Sequence, residues 1–164
     1  MSYNGGEAQI YGLELSAGTN PRLGSFLFPI AAEYTLTRAS FQNSFVSGLS
    51  DWGIGTIREG DPIPYVPQHQ FGLQAGVQWE ILRLNLQAKY QSKSYDQALL
   101  EGREQLESST IWDAAFSVFP YENYELYATA DNITNRKVLT SLRPFGARPG
   151  KPQAFVFGVK AQLN

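Results

Sequence analysis

Residues Phe71–Trp79 read FGLQAGVQW, with Phe, Leu, Ala, Val and Trp on odd positions and Gly, Gln, Gly and Gln on even ones. Successive strand side chains point to opposite faces, so the stretch predicts a strand with one apolar and one polar face. The apolar face has to be covered by a protein core or by lipid. That choice decides the fold.

The same period-two pattern recurs along the chain. The apolar sets are Tyr11, Leu13, Leu15, Ala17; Phe26, Phe28, Ile30, Ala32, Tyr34, Leu36; and Phe71 to Trp79. They continue with Leu82, Leu84, Leu86, Ala88, Tyr90; Trp112, Ala114, Phe116, Val118; Tyr124, Leu126, Ala128, Ala130; and Phe155, Phe157, Val159, Ala161, Leu163. No position in these sets is charged. The interleaved positions are mostly polar, among them Gln70, Gln74, Gln78, Asn85 and Gln87; Ile10, Leu27 and Val156 are exceptions. Pro29 is a misfit inside a strand and is expected to mark a bulge. The reading is antiparallel β throughout.

Composition narrows the classes. The chain has 164 residues, enough for one domain. Charged residues make up 17%, below the globular average of roughly 25%. A net charge of −2 gives no sign of a nucleic-acid partner. With no cysteine and His69 as the one histidine, disulfide, thiol and histidine-metal chemistry are not expected. No apolar run reaches the length of about 18 residues that a membrane-spanning helix needs. MSYNGGEAQ lacks the basic and apolar regions of a signal peptide, as a mature chain or a piece of a longer one would.

The connections alternate in length. Short ones fall around GTNPRLG (18–24), Glu80–Ile81 and Pro120–Asn123; long ones span roughly 37–68, 92–109 and 132–153. Short turns on one rim and long loops on the other are a property of outer-membrane barrels. The strands also approach the length that crosses a bilayer when tilted, and aromatics gather near strand ends (Tyr34, Trp79, Tyr90, Trp112, Tyr124). A lipid-facing exterior is therefore expected over a soluble core. Seven strands do not close a wide barrel, and open edges in lipid leave backbone groups unpaired, so 1–164 is expected to be part of a larger barrel. Within its loop, QALLEGREQLE (97–107) is predicted to form a short helix.

Three segments carry a resemblance: GDPIPYVPQHQ (60–70) leading into FGLQAGVQW, DNITNRKVLTSLRPFGARPGKPQAFVFGVKAQL (131–163), and NGGEAQIYGLEL (4–15). In this order they resemble the loop-to-strand junction, the final hairpin and a strand opening of TonB-dependent outer-membrane receptors. The PYVP and RPFGARPG segments look most like ferric dicitrate and siderophore receptors. The resemblance implies an all-β, antiparallel transmembrane barrel of roughly 22 strands, of which 1–164 is the C-terminal portion, about seven strands. It implies uptake of ferric chelates powered by TonB, with a plug domain inside the barrel. It also implies a Gram-negative outer-membrane location, with lipid and lipopolysaccharide as neighbours, no resident cofactor, iron carried only as a chelate, and no enzymatic activity. The plug and TonB box do not appear in this sequence, so the chain alone is not expected to perform energised transport. Leu163–Asn164 stands where the family usually ends on an aromatic.

Candidate site residues lie in the loops. Arg143, Arg148 and Lys151 fall in the last long loop, and arginine forks bind carboxylates such as those of anionic ferric chelates. If the resemblance holds they face the outer vestibule; the competing reading is loop bracing or contact with lipopolysaccharide phosphates. Pro62, Pro64 and Pro67 read as a rigid, extended run feeding the third strand. Glu14, Glu33, Arg83, Lys89, Asp113, Glu125, Asp131 and Lys160 form a mixed-sign polar face, read as packing against a plug or as a substrate path. Asn132-Ile133-Thr134 fits a glycosylation sequon that carries no weight in a bacterial outer membrane. No catalytic constellation is visible. Two further readings remain: a lipocalin-like soluble β-barrel carrier of a small apolar ligand, and an outer-membrane enzyme or adhesin.

Overall fold

Each alternating stretch forms a strand, because period two presents one continuous apolar face only to an extended chain. The computed structural model describes residues 6–162. In chain order its strands are β1 (Ala8–Thr19), β2 (Arg22–Leu23), β3 (Phe26–Leu27), β4 (Ile30–Phe41), β5 (Phe45–Ser47), β6 (Gly55–Ile57), β7 (His69–Trp79) and β8 (Leu82–Gln91). They continue with β9 (Ser94–Tyr95), β10 (Gln105–Leu106), β11 (Ser109–Tyr121), β12 (Tyr124–Asp131), β13 (Leu139–Ser141), β14 (Arg148–Pro149) and β15 (Ala154–Ala161). Asn4 and Gly5 of the opening motif, and Leu163 and Asn164 at the other end, lie outside the described residues.

The long strands form one antiparallel meander in the order β1-β4-β7-β8-β11-β12-β15. Thr19, Ile30, Ala75, Leu86, Ala114, Ala130 and Phe155 line up across it in a single row. This register puts every apolar set on the same face. Ser16, Glu33, Gly72 and Lys89 form a matching row on the other. Leu13, Leu15, Leu84, Leu126 and Phe155 lie exposed on the apolar face, and Phe157 keeps 78% of its surface open. The glycines of FGLQAGVQW make room on the polar face. A methyl on Gly72 would meet Glu33 Cγ at 2.6 Å, and one on Gly76 would meet Asn85 Oδ1 at 2.6 Å. In each case a longer side chain from the next strand lies across the glycine.

The short-turn rim differs in detail from expectation. The first turn is Gly24–Ser25 (Gly24 φ 58°), at the end of the predicted 18–24 segment, and Arg22–Leu23 still belong to the ladder. Pro29 makes no bulge. Leu27 faces Gln78 and Ile30 faces Ala75, so the register is the same on both sides of it. Its carbonyl accepts from Gly76 N at 2.8 Å, and its missing N–H removes only the return bond. The register shift falls instead between Val118 and Tyr121, the segment that holds Pro120. Trp79 sits on this rim as expected, with its ring stacked on Phe26 at 5.6 Å between centroids.

The predicted helix over 97–107 is absent. Ala98 N and Leu99 N both donate to Trp52 O, at 3.1 and 3.0 Å, and Gly102 adopts φ 71°. Amides already engaged by another loop, followed by a left-handed residue, leave no helical turn to propagate. β10 instead pairs with β9. The prolines of 60–70 do run beside the end of β4 and deliver the chain to β7, with Ile63 N donating to Ala39 O and Thr37 N to Gln68 O. The extension is broken once, at Tyr65 (φ 60°).

Candidate functional site

Apart from Ala88 on β8, the buried apolar residues lie at the end of β4 and in the long loops. Phe41, Ile57 and Ala98 are buried together, with Phe45, Trp52 and Ile63 packed around them. The phenyl and indole rings meet at 5.1 Å (Phe41–Phe45) and 5.5 Å (Phe41–Trp52). This cluster joins the loop between β4 and β7 to the loop between β8 and β11.

Polar contacts bring in the third loop, between β12 and β15. Tyr65 donates its backbone N–H to Tyr95 O at 2.8 Å. Its hydroxyl oxygen accepts from Leu142 N and Arg143 N, at 3.3 and 3.0 Å. Arg143 Nε donates to Asp96 Oδ2 at 2.7 Å, while Asp96 Oδ1 accepts from Glu104 N at 2.7 Å. Hydrogen bonding to Asp96 raises the pKa of the Arg143 guanidinium further above its ordinary range. Arg103 pairs with Asp61 at 2.9 Å, donates to Ala98 O, and lies over the Tyr95 ring at 5.3 Å. The three long loops are thus bound into one unit.

Asn132 fixes the root of the third loop. It is 1% exposed and holds φ 48°. Its Nδ2 donates to Arg136 O and Lys151 O, both at 3.0 Å, and its Oδ1 accepts from Arg136 N at 2.9 Å. Its own N–H donates to Asp113 Oδ1 at 2.9 Å. From this root the β13–β14 hairpin leans over the polar face of the sheet. Between them lies an open cavity of about 510 Å³, lined by Glu33, Lys89, Asp113, Thr140 and Lys151 among others.

The three basic residues singled out in the sequence have different surroundings. Arg143 is engaged by Asp96, the bracing role. Lys151 lines the cavity and pairs with Asp131 at 2.7 Å. Arg148 is exposed, makes no ion pair among the described residues, and holds its guanidinium 5.7 Å from the Phe145 ring. His69 Nδ1 meets the Tyr34 hydroxyl at 2.9 Å, on the apolar side of the sheet and away from that cavity. On the polar face Lys160 pairs with Glu125 at 3.1 Å and Lys89 with Asp113 at 3.8 Å. No alternation or spacing pattern marks Asp96 or Tyr65 as a loop anchor. Asn132 had a visible signal, an Asn directly after the last residue of an alternating strand, where turn residues belong.

Arg143→Ala leaves the Asp96 carboxylate, 1% exposed, without its cation. Breaking a buried pair costs about 3–5 kcal/mol; because the Arg143 side chain is 35% exposed, about 2 kcal/mol is expected here. Chymotryptic cleavage at Phe145 should accelerate accordingly, and an unchanged cleavage rate would remove Arg143 from the brace.

An antiparallel meander with an open apolar face, short turns on one rim and consolidated loops on the other defines the wall of an outer-membrane-type β-barrel. The model of the family described as "TonB dependent receptor-like, beta-barrel" matches residues 1–133, and the chain belongs to that family. No curated protein matches the sequence. Among solved structures it is similar to the ferric-catecholate import receptor Fiu from Escherichia coli K12 (closed form), at 18% identity and a TM-score of 0.71, covering 94% of this chain and 21% of that one. The outer membrane transporter YddB from Escherichia coli matches at 13% identity and a TM-score of 0.72, covering 94% of this chain and 25% of that one. The siderophore receptor PiuA from Acinetobacter baumannii matches at 17% identity and a TM-score of 0.69, covering 94% of this chain and 22% of that one. The chain thus spans about a fifth to a quarter of the length of these proteins.

Proposed function

We propose that the chain supplies part of the wall, and three of the outer loops, of an outer-membrane receptor that imports ferric chelates by a TonB-dependent route. In this reading residues 1–164 correspond to the C-terminal part of the barrel. The plug, and the segment that engages TonB, come from elsewhere in the whole protein. Iron is cargo, bound inside its chelate, and the protein contributes binding and a path rather than catalysis.

The observation that carries the reading is the third long loop. It is pinned at its root by Asn132 and at Arg143 by Asp96, and it holds Lys151 at the polar cavity and Arg148 exposed nearby. A pinned loop presents its cations without first losing conformational freedom, which favours capture of an anion. Ferric complexes of citrate and catecholates are anionic and offer oxygens to a guanidinium fork. The import and siderophore functions in the names of Fiu and PiuA support the same cargo class.

Arg148→Ala in the whole receptor is expected to weaken binding of ferric citrate or a ferric catecholate about tenfold, the scale of one charge-assisted hydrogen bond. Lys151→Ala should weaken it less, because Lys151 already shares its charge with Asp131. Fluorescence-quenching titrations of both variants measure this; unchanged affinity for Arg148→Ala ends its role.

A further inference from the structure

On the apolar side of the sheet, at the long-loop end, a groove of about 360 Å³ is lined by Tyr90, Ser108, Thr110, Trp112, Thr134 and Arg136 among others. Its side is fixed by register. Tyr90 and Trp112 belong to the apolar sets, and Thr110 faces Tyr90 across the β8–β11 ladder. The groove therefore opens on the apolar side of the sheet, at the edge where Tyr90 and Ser109 also border the polar cavity. Its level is fixed as well: Tyr90 is one residue from the end of β8, where an aromatic marks the headgroup region.

The chemistry of the lining is one-sided. Ser108, Thr110 and Thr134 offer hydroxyls and Arg136 a guanidinium, and no acidic residue lines the groove. The Arg136 side chain makes no ion pair among the described residues, unlike Arg103 and Arg143. Its backbone is held from both sides, because Asn132 accepts from its N–H and donates to its carbonyl. Below the groove on β8, Ala88, Leu86 and Leu84 continue the same face as an apolar track.

A cation set among hydroxyls at headgroup level, above an apolar track, fits an amphiphile with a phosphate at its head. We infer that this groove holds the phosphate of an outer-leaflet lipid, with Arg136 as its cation and Asn132 positioning that arginine. The inference rests on the outer-membrane reading above, and names a lipid site distinct from the chelate loop.

The test uses the whole receptor extracted from membranes in detergent, with co-purifying phosphorylated lipid measured by native mass spectrometry. Arg136→Ala is expected to lower retained phospholipid or phosphorylated glycolipid about tenfold. Arg136→Lys should keep part of it, and Arg22→Ala, on the short-turn rim, should keep all of it. Ferric-chelate affinity should be unchanged in Arg136→Ala. Equal lipid retention in wild type and Arg136→Ala overturns the site. Displacement of the lipid by inorganic phosphate alone overturns the lipid assignment in favour of a free anion. Recovery of the whole protein in water without detergent overturns the membrane reading, and the site with it.

Discussion

Asn132→Ala is expected to release the loop between β12 and β15, at a cost of about 3–4 kcal/mol. Alanine at φ 48° costs about 1 kcal/mol or more, since a Cβ crowds the following carbonyl in the left-handed region. The three lost side-chain bonds, to Arg136 N, Arg136 O and Lys151 O, are worth about 1 kcal/mol each. Asn132→Gly restores the backbone preference and none of the bonds, so it should fall between wild type and alanine. The readout is hydrogen exchange at the Arg136 amide, which Asn132 Oδ1 holds at 2.9 Å. If that amide exchanges at the same rate in all three proteins, Asn132 is not the anchor.

The second large effect concerns the wall. Leu86 lies in the row that crosses all seven long strands, about midway along β8, while Gln87 lies on the opposite face. Leu86→Arg should destabilise the barrel by about 2–4 kcal/mol, the cost of an arginine at the bilayer midplane. Tyr90→Arg, near the long-loop end of the same strand, should cost about 0–1 kcal/mol. Gln87→Arg should be close to neutral, because Gln87 faces Gln74 and Asp113 on the polar side. Urea unfolding of the whole protein in lipid vesicles measures all three. A protein core would penalise positions 86 and 90 alike, so equal costs would remove lipid as the covering medium.

The wall was legible because its information is local. Leu82, Leu84, Leu86 and Tyr90 announce their face within one strand, and the two-residue gap at Glu80–Ile81 announces the turn. The meaning of each proline was less local. Pro29 keeps the ladder in register, whereas the register shift lies in the segment of Pro120; both depend on which neighbour the missing N–H would have faced. The loops were legible only as loops. Arg143 finds Asp96 across 47 residues, and Tyr65 meets Arg143 across 78, separations that no spacing rule reads. QALLEGREQLE has helical composition, but its first residues answer to Trp52 rather than to each other. For that reason Arg143, conspicuous in its loop by charge alone, has a carboxylate partner, and nothing in the sequence pattern marks Arg136.

Among the described residues the long strands pair in sequence order, so the wall can zip hairpin by hairpin from the short-turn rim. The loop cluster cannot form that way, since Tyr65, Asp96 and Arg143 come from three different hairpins. A one-residue slip in any ladder would turn that hairpin's side chains to the wrong face and shift its loop by about 3.3 Å. Such a slip would separate Arg143 from Asp96 or Tyr65 from Leu142. The buried contacts at the outer rim therefore act as a proofreading step for strand register, satisfied only when every hairpin has paired correctly.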